Sequence, residues 1–306
     1  DGTDSTIITS VDGQASYSYF TSGTYKIKIR ANLSTSQFIE VKDSVTVSFN
    51  SGGVNNTGYT TPLNYPNYTL TWQDEFNGTS LSSDWIHEIG NGSWGWGNNE
   101  LQYYRQQNTT VENGYLTIRA KQENYGGFNY TSSRIITKGN FFHKYGRIDI
   151  RAKLPYGQGL WPALWMLGEN FSSVGWPSCG EIDIMENVGY DSCKILGTIH
   201  TKAYNHTINT QKSDSIVIST AHQDFHTYSL NWTDSILEWY VDSNIYNSIK
   251  RTSTDSEEQW PFDKPFHLII NHAVGGDWGG RMGVDTSSFP QDLIIDRVKL
   301  YNKKPF

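Results

Sequence analysis

The chain has 306 residues, enough for one large domain, or one domain with a small companion, and enough to bury a sizeable core. Acidic residues outnumber basic ones by 31 to 24, and the net charge of −7 argues against nucleic acid and polyanionic substrates, both of which call for a basic surface. Aromatics make up 14% of the chain, with 11 Trp and 19 Tyr, more than an aliphatic core requires, so some are expected to face a ligand.

In chain order, polar Asp1 to Ser5 do not read as a signal peptide, which suggests a mature or trimmed product. No apolar run approaches the ~20 residues of a membrane span. Residues 1–50 read as a small β module, with strands at Thr6 to Val11, Ala15 to Phe20, Thr24 to Ala31 and Ser44 to Phe49 between Gly and Ser turns. That is fewer strands than the roughly seven of an immunoglobulin-type sandwich. Residues 51–66, with Gly52-Gly53, Asn55-Asn56 and Pro62, read as a linker, leaving 67–306 as the main domain.

From Leu70 onward short alternating segments recur: Tyr115 to Ala120, Arg134 to Thr137, Arg147 to Leu154, Leu160 to Leu167, Ile195 to His200, Thr227 to Trp232, Ile236 to Val241, His267 to His272 and Leu293 to Tyr301. Without long helical periodicity, and with Gly, Asn and Asp between strands, they predict an all-β sandwich or barrel of antiparallel sheets rather than βα units. Leu160 to Leu167 is apolar on both faces. Trp161, Ala163, Trp165 and Leu167 share one face, which can line a cleft or form a second layer of core.

Gly180-Glu181-Ile182-Asp183-Ile184-Met185-Glu186 places three carboxylates in an otherwise apolar, β-branched segment. As a strand it puts Glu181 and Asp183 on one face and the isoleucines on the other. Strict alternation would bury Glu186, whereas a β-bulge near Met185 returns it to the acidic face. The glutamates then lie effectively four strand positions apart, ~13 Å at ~3.3 Å per residue. Leaning side chains bring the carboxyls to ~5 Å, nearer a retaining than an inverting glycosidase. A solvated strand edge is the competing reading of the acids alone. Nearby Trp161, Trp165 and Trp176 favour a sugar-binding cleft. A hard-cation site fits poorly, because such ions favour turns that wrap around them. Cys179 and Cys193 bracket this strand; extended chain separates them by ~30 Å, far beyond disulfide reach, so two free thiols are expected.

These residues resemble glycoside hydrolase family 16. The resemblance rests on Glu181-Ile-Asp-Ile-Met-Glu186 preceded by Trp176-Pro177 and Gly180, and on Gly95-Trp96-Gly97-Asn98-Asn99-Glu100-Leu101-Gln102-Tyr103-Tyr104. It extends to the run from Arg151 to Pro162, to Gly197-Thr-Ile-His200, and to Ala273-Val-Gly-Gly-Asp-Trp278. The resemblance implies a β-jelly-roll of two antiparallel sheets with a concave cleft, acting with retention and without a catalytic cofactor. It implies Glu181 as nucleophile, Glu186 as general acid and then base, and Asp183 as partner of the nucleophile. Adjacent carboxylates sharing a proton would supply one charged and one protonated acid.

The five-residue step containing Met185 resembles the laminarinase-like branch, which implies β-1,3-glucan first and mixed-linkage β-1,3/1,4-glucan close behind. By the same resemblance Trp161, Trp165 and Trp176 wall the sugar site, Arg134 and Asn98 bond the glycone side, His200 lies near the acids and Trp278 closes one end. Trp96 and Glu100 are equally readable as loop supports. The family also implies a structural calcium ion held by Asp296 with backbone oxygens near Glu75 and Gly114, against which stands a plain surface aspartate. The first module resembles part of a PKD or other Ig-like domain through Tyr17 to Phe20, Gly23 to Tyr25 and Val45 to Val47, with a spacer or sugar-binding role. A secreted or cell-surface monomer is expected. A glucan receptor and a transglycosylase are the rival functions; receptors of this fold lose the catalytic glutamates, and both are present here.

Overall fold

The computed structural model describes the strands Gly23–Asn32 and Phe38–Val47 and the chain from residue 54 to residue 304, grouped into two compact units, Asp1–Val54 and Asn55–Phe306. In the first unit the two strands pair antiparallel from Gly23↔Val47 to Asn32↔Phe38. The first matches the expected Thr24 to Ala31. The second starts at Phe38 rather than Ser44, because the alternation of Ile39, Val41, Val45 and Val47 runs through Asp43, whose charge masks it in the sequence. The expected strands at Thr6 to Val11 and Ala15 to Phe20 lie outside the described residues.

The second unit begins within the expected linker. The Tyr59 amide donates to the Phe225 carbonyl and the Phe225 amide to the Thr57 carbonyl, both at 2.9 Å, while the Tyr65 hydroxyl reaches Asp149 Oδ2 at 2.7 Å. Gly58 makes the approach possible: at φ +109 a Cβ there would stand 2.1 Å from the Phe225 oxygen.

Two sheets build the rest. The larger runs Asn244–Lys250, Ile236–Val241, His226–Trp232, Gly146–Lys153, Gln291–Lys303, Tyr115–Tyr125, Phe128–Ser132, Gln102–Tyr104, with Tyr68–Asp74 on Gln291–Lys303 and Thr109–Glu112 on Tyr115–Tyr125. The smaller runs Lys212–Val217, Lys194–His200, Glu181–Glu186, Leu160–Gly168, Phe266–Val274, Arg134–Ile136, Ile86–His87. Among the described strands all pairings are antiparallel except Gln102–Tyr104 with Phe128–Ser132. Each alternating segment expected beyond Leu70 is a strand within a few residues of its expected ends. Lys212–Val217 escaped notice because it is a polar edge strand, the kind of edge that charge keeps from pairing further.

The core lies between the sheets. Leu164, Met166, Ile182, Ile184, Met185, Ile199 and Ile270 of the smaller sheet meet Leu116, Ile148, Ile150, Leu230, Trp239 and Ile295 of the larger, all fully buried. Burying a side chain of this size is worth about 1.5–3 kcal/mol. That makes the inward face of the smaller sheet non-negotiable, and fixes by alternation which side chains point outward.

Candidate active site

The acidic strand Glu181–Glu186 lies between Leu160–Gly168 and Lys194–His200. Gly180, at φ +82, admits the chain to it, since a Cβ would come within 2.7 Å of Pro261 Cγ. Opposite Leu160–Gly168 the register reads Asp183↔Trp165 and then Met185↔Leu164, so Ile184 is the extra residue of a β-bulge. The expected bulge is therefore present. Ile184 and Met185 both enter the core, and Glu186 rejoins the outward face carrying Glu181 and Asp183. From the other sheet, the Trp239 indole N–H donates 2.8 Å to the Asp183 carbonyl, pinning the strand just before the bulge.

Each glutamate has its own tryptophan. Trp161 Nε1 donates to Glu186 Oε1 at 3.1 Å, and Trp176 Nε1 donates to Glu181 Oε2 at 3.0 Å. His200 is the cross-strand partner of Glu181, with Nε2 3.7 Å from Glu181 Oε1 and 3.4 Å from Asp183 Oδ2. Trp176 and His206 pack against the His200 ring, and Trp278 meets Trp161 edge-on at 5.3 Å.

Burial raises all three acids above the usual carboxylate range. For Glu181 and Glu186 the neighbouring negative charge of Asp183 adds to the rise, while His200 and the tryptophan hydrogen bonds oppose it. Interacting acids of this kind titrate as a set, with at least one proton held among them near neutrality. A half-buried carboxylate and a half-buried carboxylic acid on one strand can serve as nucleophile and proton donor.

A second group lies beside the acids. The Arg134 guanidinium sits 4.6 Å over the Trp96 ring and 4.9 Å over the Trp165 ring, while its Nε bonds Glu88. Trp165 Nε1 donates to Asn271 Oδ1 at 2.7 Å, Asn271 Nδ2 to the Tyr104 hydroxyl at 3.1 Å, and that hydroxyl to Glu100 Oε2 at 3.1 Å. Glu100 also accepts from Gln102 and Asn98. Asn98 therefore acts on Glu100, and its carbonyl accepts the Asp277 amide at 2.8 Å, tying its loop to the one bearing Trp278. Glu100 is a buried hub, and Trp96 faces Arg134. Glu100, Gln102 and Tyr104 occupy alternate positions, the signal that could have revealed them as one cluster.

The remaining expectations concern the cysteines and the cation. Cys179 and Cys193 are both free thiols, as expected. Asp296 Oδ2 lies 3.0 Å from Arg151 Nη1 and 2.7 Å from Arg297 Nε, and Glu75 pairs with Lys299 at 2.8 Å. The side-chain oxygen that Asp296 was expected to give to calcium is thus engaged by Arg151 and Arg297, which fits a calcium ligand poorly, whereas the expected partners near Glu75 and Gly114 are backbone oxygens that the Glu75–Lys299 pair leaves untouched. Gly114 takes its place in a turn at φ +81 near Asn77.

Over residues 94–289 the chain matches the family model described as glycosyl hydrolases family 16. It is 47% identical over 247 residues to the beta-glucanase of Rhodothermus marinus, covering 77% of this chain and 86% of that protein. It is 42% identical to the clotting factor G alpha subunit of Tachypleus tridentatus, of which it covers 34%. The X-ray structure of the laminarinase from Rhodothermus marinus superposes with a TM-score of 0.74 at 45% identity, spanning 78% of this chain and 99% of that one.

Proposed function

The chain belongs to glycosyl hydrolases family 16 and has its jelly-roll fold, and from that premise we propose that it is a retaining endo-β-1,3-glucanase that also accepts mixed β-1,3/1,4 linkages. The observation that carries this reading is the bulged strand, which sets Glu181 and Glu186 on one face with a separate indole donor on each. In the first step Glu181 attacks the anomeric carbon as Glu186 gives its proton to the departing glycosidic oxygen. In the second, Glu186 takes a proton from water, whose oxygen displaces Glu181 and restores the starting configuration.

The other residues set the stage for these steps. Burial keeps a proton available among the two glutamates, while His200 favours the charged form of both and the Trp176 and Trp161 hydrogen bonds favour the charged forms of Glu181 and Glu186 respectively. Asp183, between them, works against a second full charge. Trp161, Trp165 and Trp278 offer ring faces to sugar, and Arg134, held by Glu88 and the two indoles, offers donors to sugar hydroxyls.

A polysaccharide substrate supports a secreted or cell-surface monomer, with the first unit as a spacer. The test is a reducing-sugar assay on laminarin, barley β-glucan, lichenan and agarose in parallel, with the product anomer followed by NMR. Release of β-anomers, fastest from laminarin, is expected; preference for agarose or inverted product would overturn the reading. Glu181→Ser is expected to abolish hydrolysis while laminarin oligosaccharides still bind.

A further inference from the structure

A cation site made from the strand acids alone is disfavoured, but the fold adds an imidazole from the neighbouring strand. One ligand atom each from Glu181, Asp183 and His200 lie within 4.8 Å of one another. The separations from His200 Nε2, 3.4 Å to Asp183 Oδ2 and 3.7 Å to Glu181 Oε1, are close to the ~3.4 Å edge of a tetrahedron with zinc–ligand bonds of ~2.0–2.1 Å. A second observation points the same way. Asp183 is only 2% exposed, and its Oδ2 is buried without a hydrogen-bond partner. A buried acceptor in that state is costly, and a cation would satisfy it.

We propose that Glu181, Asp183 and His200 bind one transition-metal ion of the zinc class, and that the bound ion blocks the enzyme reversibly by occupying the carboxylate of Glu181. Imidazole with two carboxylates selects Zn²⁺, Co²⁺ or Cu²⁺ over Mg²⁺ and Ca²⁺, which prefer oxygen alone. Three protein ligands leave the fourth position to water on the outward face, where the sugar would otherwise lie. Trp176 occupies the other oxygen of Glu181 and orients the carboxylate, as outer partners of metal ligands commonly do. Glu186, bonded to Trp161, stays outside the set. Binding must release whatever protons the ligands hold, so affinity rises with pH. The ion would be an inhibitor, with no part in bond cleavage.

Binding does not depend on the glucanase reading, whereas competition with glucan rests on it, and the experiment separates the two. The full chain, in a non-chelating buffer, is titrated with Co²⁺ while the visible bands of four-coordinate cobalt are recorded, then back-titrated with Zn²⁺. One equivalent of Co²⁺, displaced by Zn²⁺ and unaffected by Mg²⁺ or Ca²⁺, is expected. His200→Ala and, as a second variant, Asp183→Asn are each expected to bind at least ten-fold more weakly, with thermal melts checking that they fold. Under the same conditions Zn²⁺ is expected to raise KM for laminarin several-fold with kcat unchanged, and EDTA to reverse it. Absence of the cobalt bands in the wild-type chain, or equal binding by either folded variant, would overturn the proposal. If cobalt binds as described but laminarin is not cleaved, the metal site stands and the glucanase reading falls.

Discussion

The two indole donors make a prediction that distinguishes the glutamates from each other. Trp161→Phe keeps a ring against Trp278 but deletes the N–H that bonds Glu186 at 3.1 Å, and Trp176→Phe does the same to Glu181 at 3.0 Å. Each donor favours the charged form of its acid, so each deletion raises that acid's pKa. A hydrogen bond to a charged group is worth about 1.5–3 kcal/mol, and one pKa unit about 1.4 kcal/mol. Both pairs are half-buried, so about half to one unit is expected rather than the full one to two. Because Glu186 must start protonated, Trp161→Phe moves the alkaline limb of kcat/KM on laminarin to higher pH. Because Glu181 must start ionised, Trp176→Phe moves the acid limb to higher pH. Loss of sugar stacking lowers the whole curve without shifting either limb, so the two effects separate in one data set. Limbs that stay put, or that move in the exchanged order, would refute the assignment of roles.

Asp183→Asn is expected to lower kcat and to change how stability depends on pH. The folded-state pKa of Asp183 is raised, to about 8, so its stabilising contribution is present in acid and is lost as pH climbs from the usual carboxylate range through that value. The variant and wild type should melt closest together near pH 3, below the unfolded carboxylate range, with the variant melting increasingly higher towards pH 9; the reverse order in scanning calorimetry would contradict the buried-charge account. Gly197→Ala is expected to cost about 1–3 kcal/mol, since its Cβ would lie 2.5 Å from the Trp239 ring and 2.6 Å from the Tyr246 hydroxyl. Activity should fall with stability there, because Trp239 anchors the acidic strand, and urea melts with parallel assays would check both. EDTA is expected to leave the melting temperature unchanged, and a drop of several degrees would restore a calcium site near Asp296.

The chemistry was largely legible in the sequence because its signal is local. Four residues between two glutamates, three of them apolar, cannot satisfy both a core and a face without a bulge, and Ile184 and Met185 resolve the conflict in that way. The strands beyond Leu70 were legible for the same reason, alternation being visible residue by residue. What stayed hidden depends on pairs far apart in the chain. Asn271 links Trp165 to Tyr104 across 167 positions, and Arg151 turns to Asp296 across 145; neither leaves a trace in spacing. The pairing of Asp296 was hidden at that level, since nothing near Asp296 in sequence announces Arg151.

The segment from Asn55 to Pro66 carries a practical consequence for anyone trimming this protein. Cut at residue 67, where composition suggests the enzyme begins, the chain would lose the hydroxyl that meets Asp149, a fully buried acid left with Arg147 as its remaining partner, and would bare the main-chain groups of Phe225 to water. A catalytic fragment should start no later than Asn55, and a shorter one would report a fragility that the whole molecule does not have.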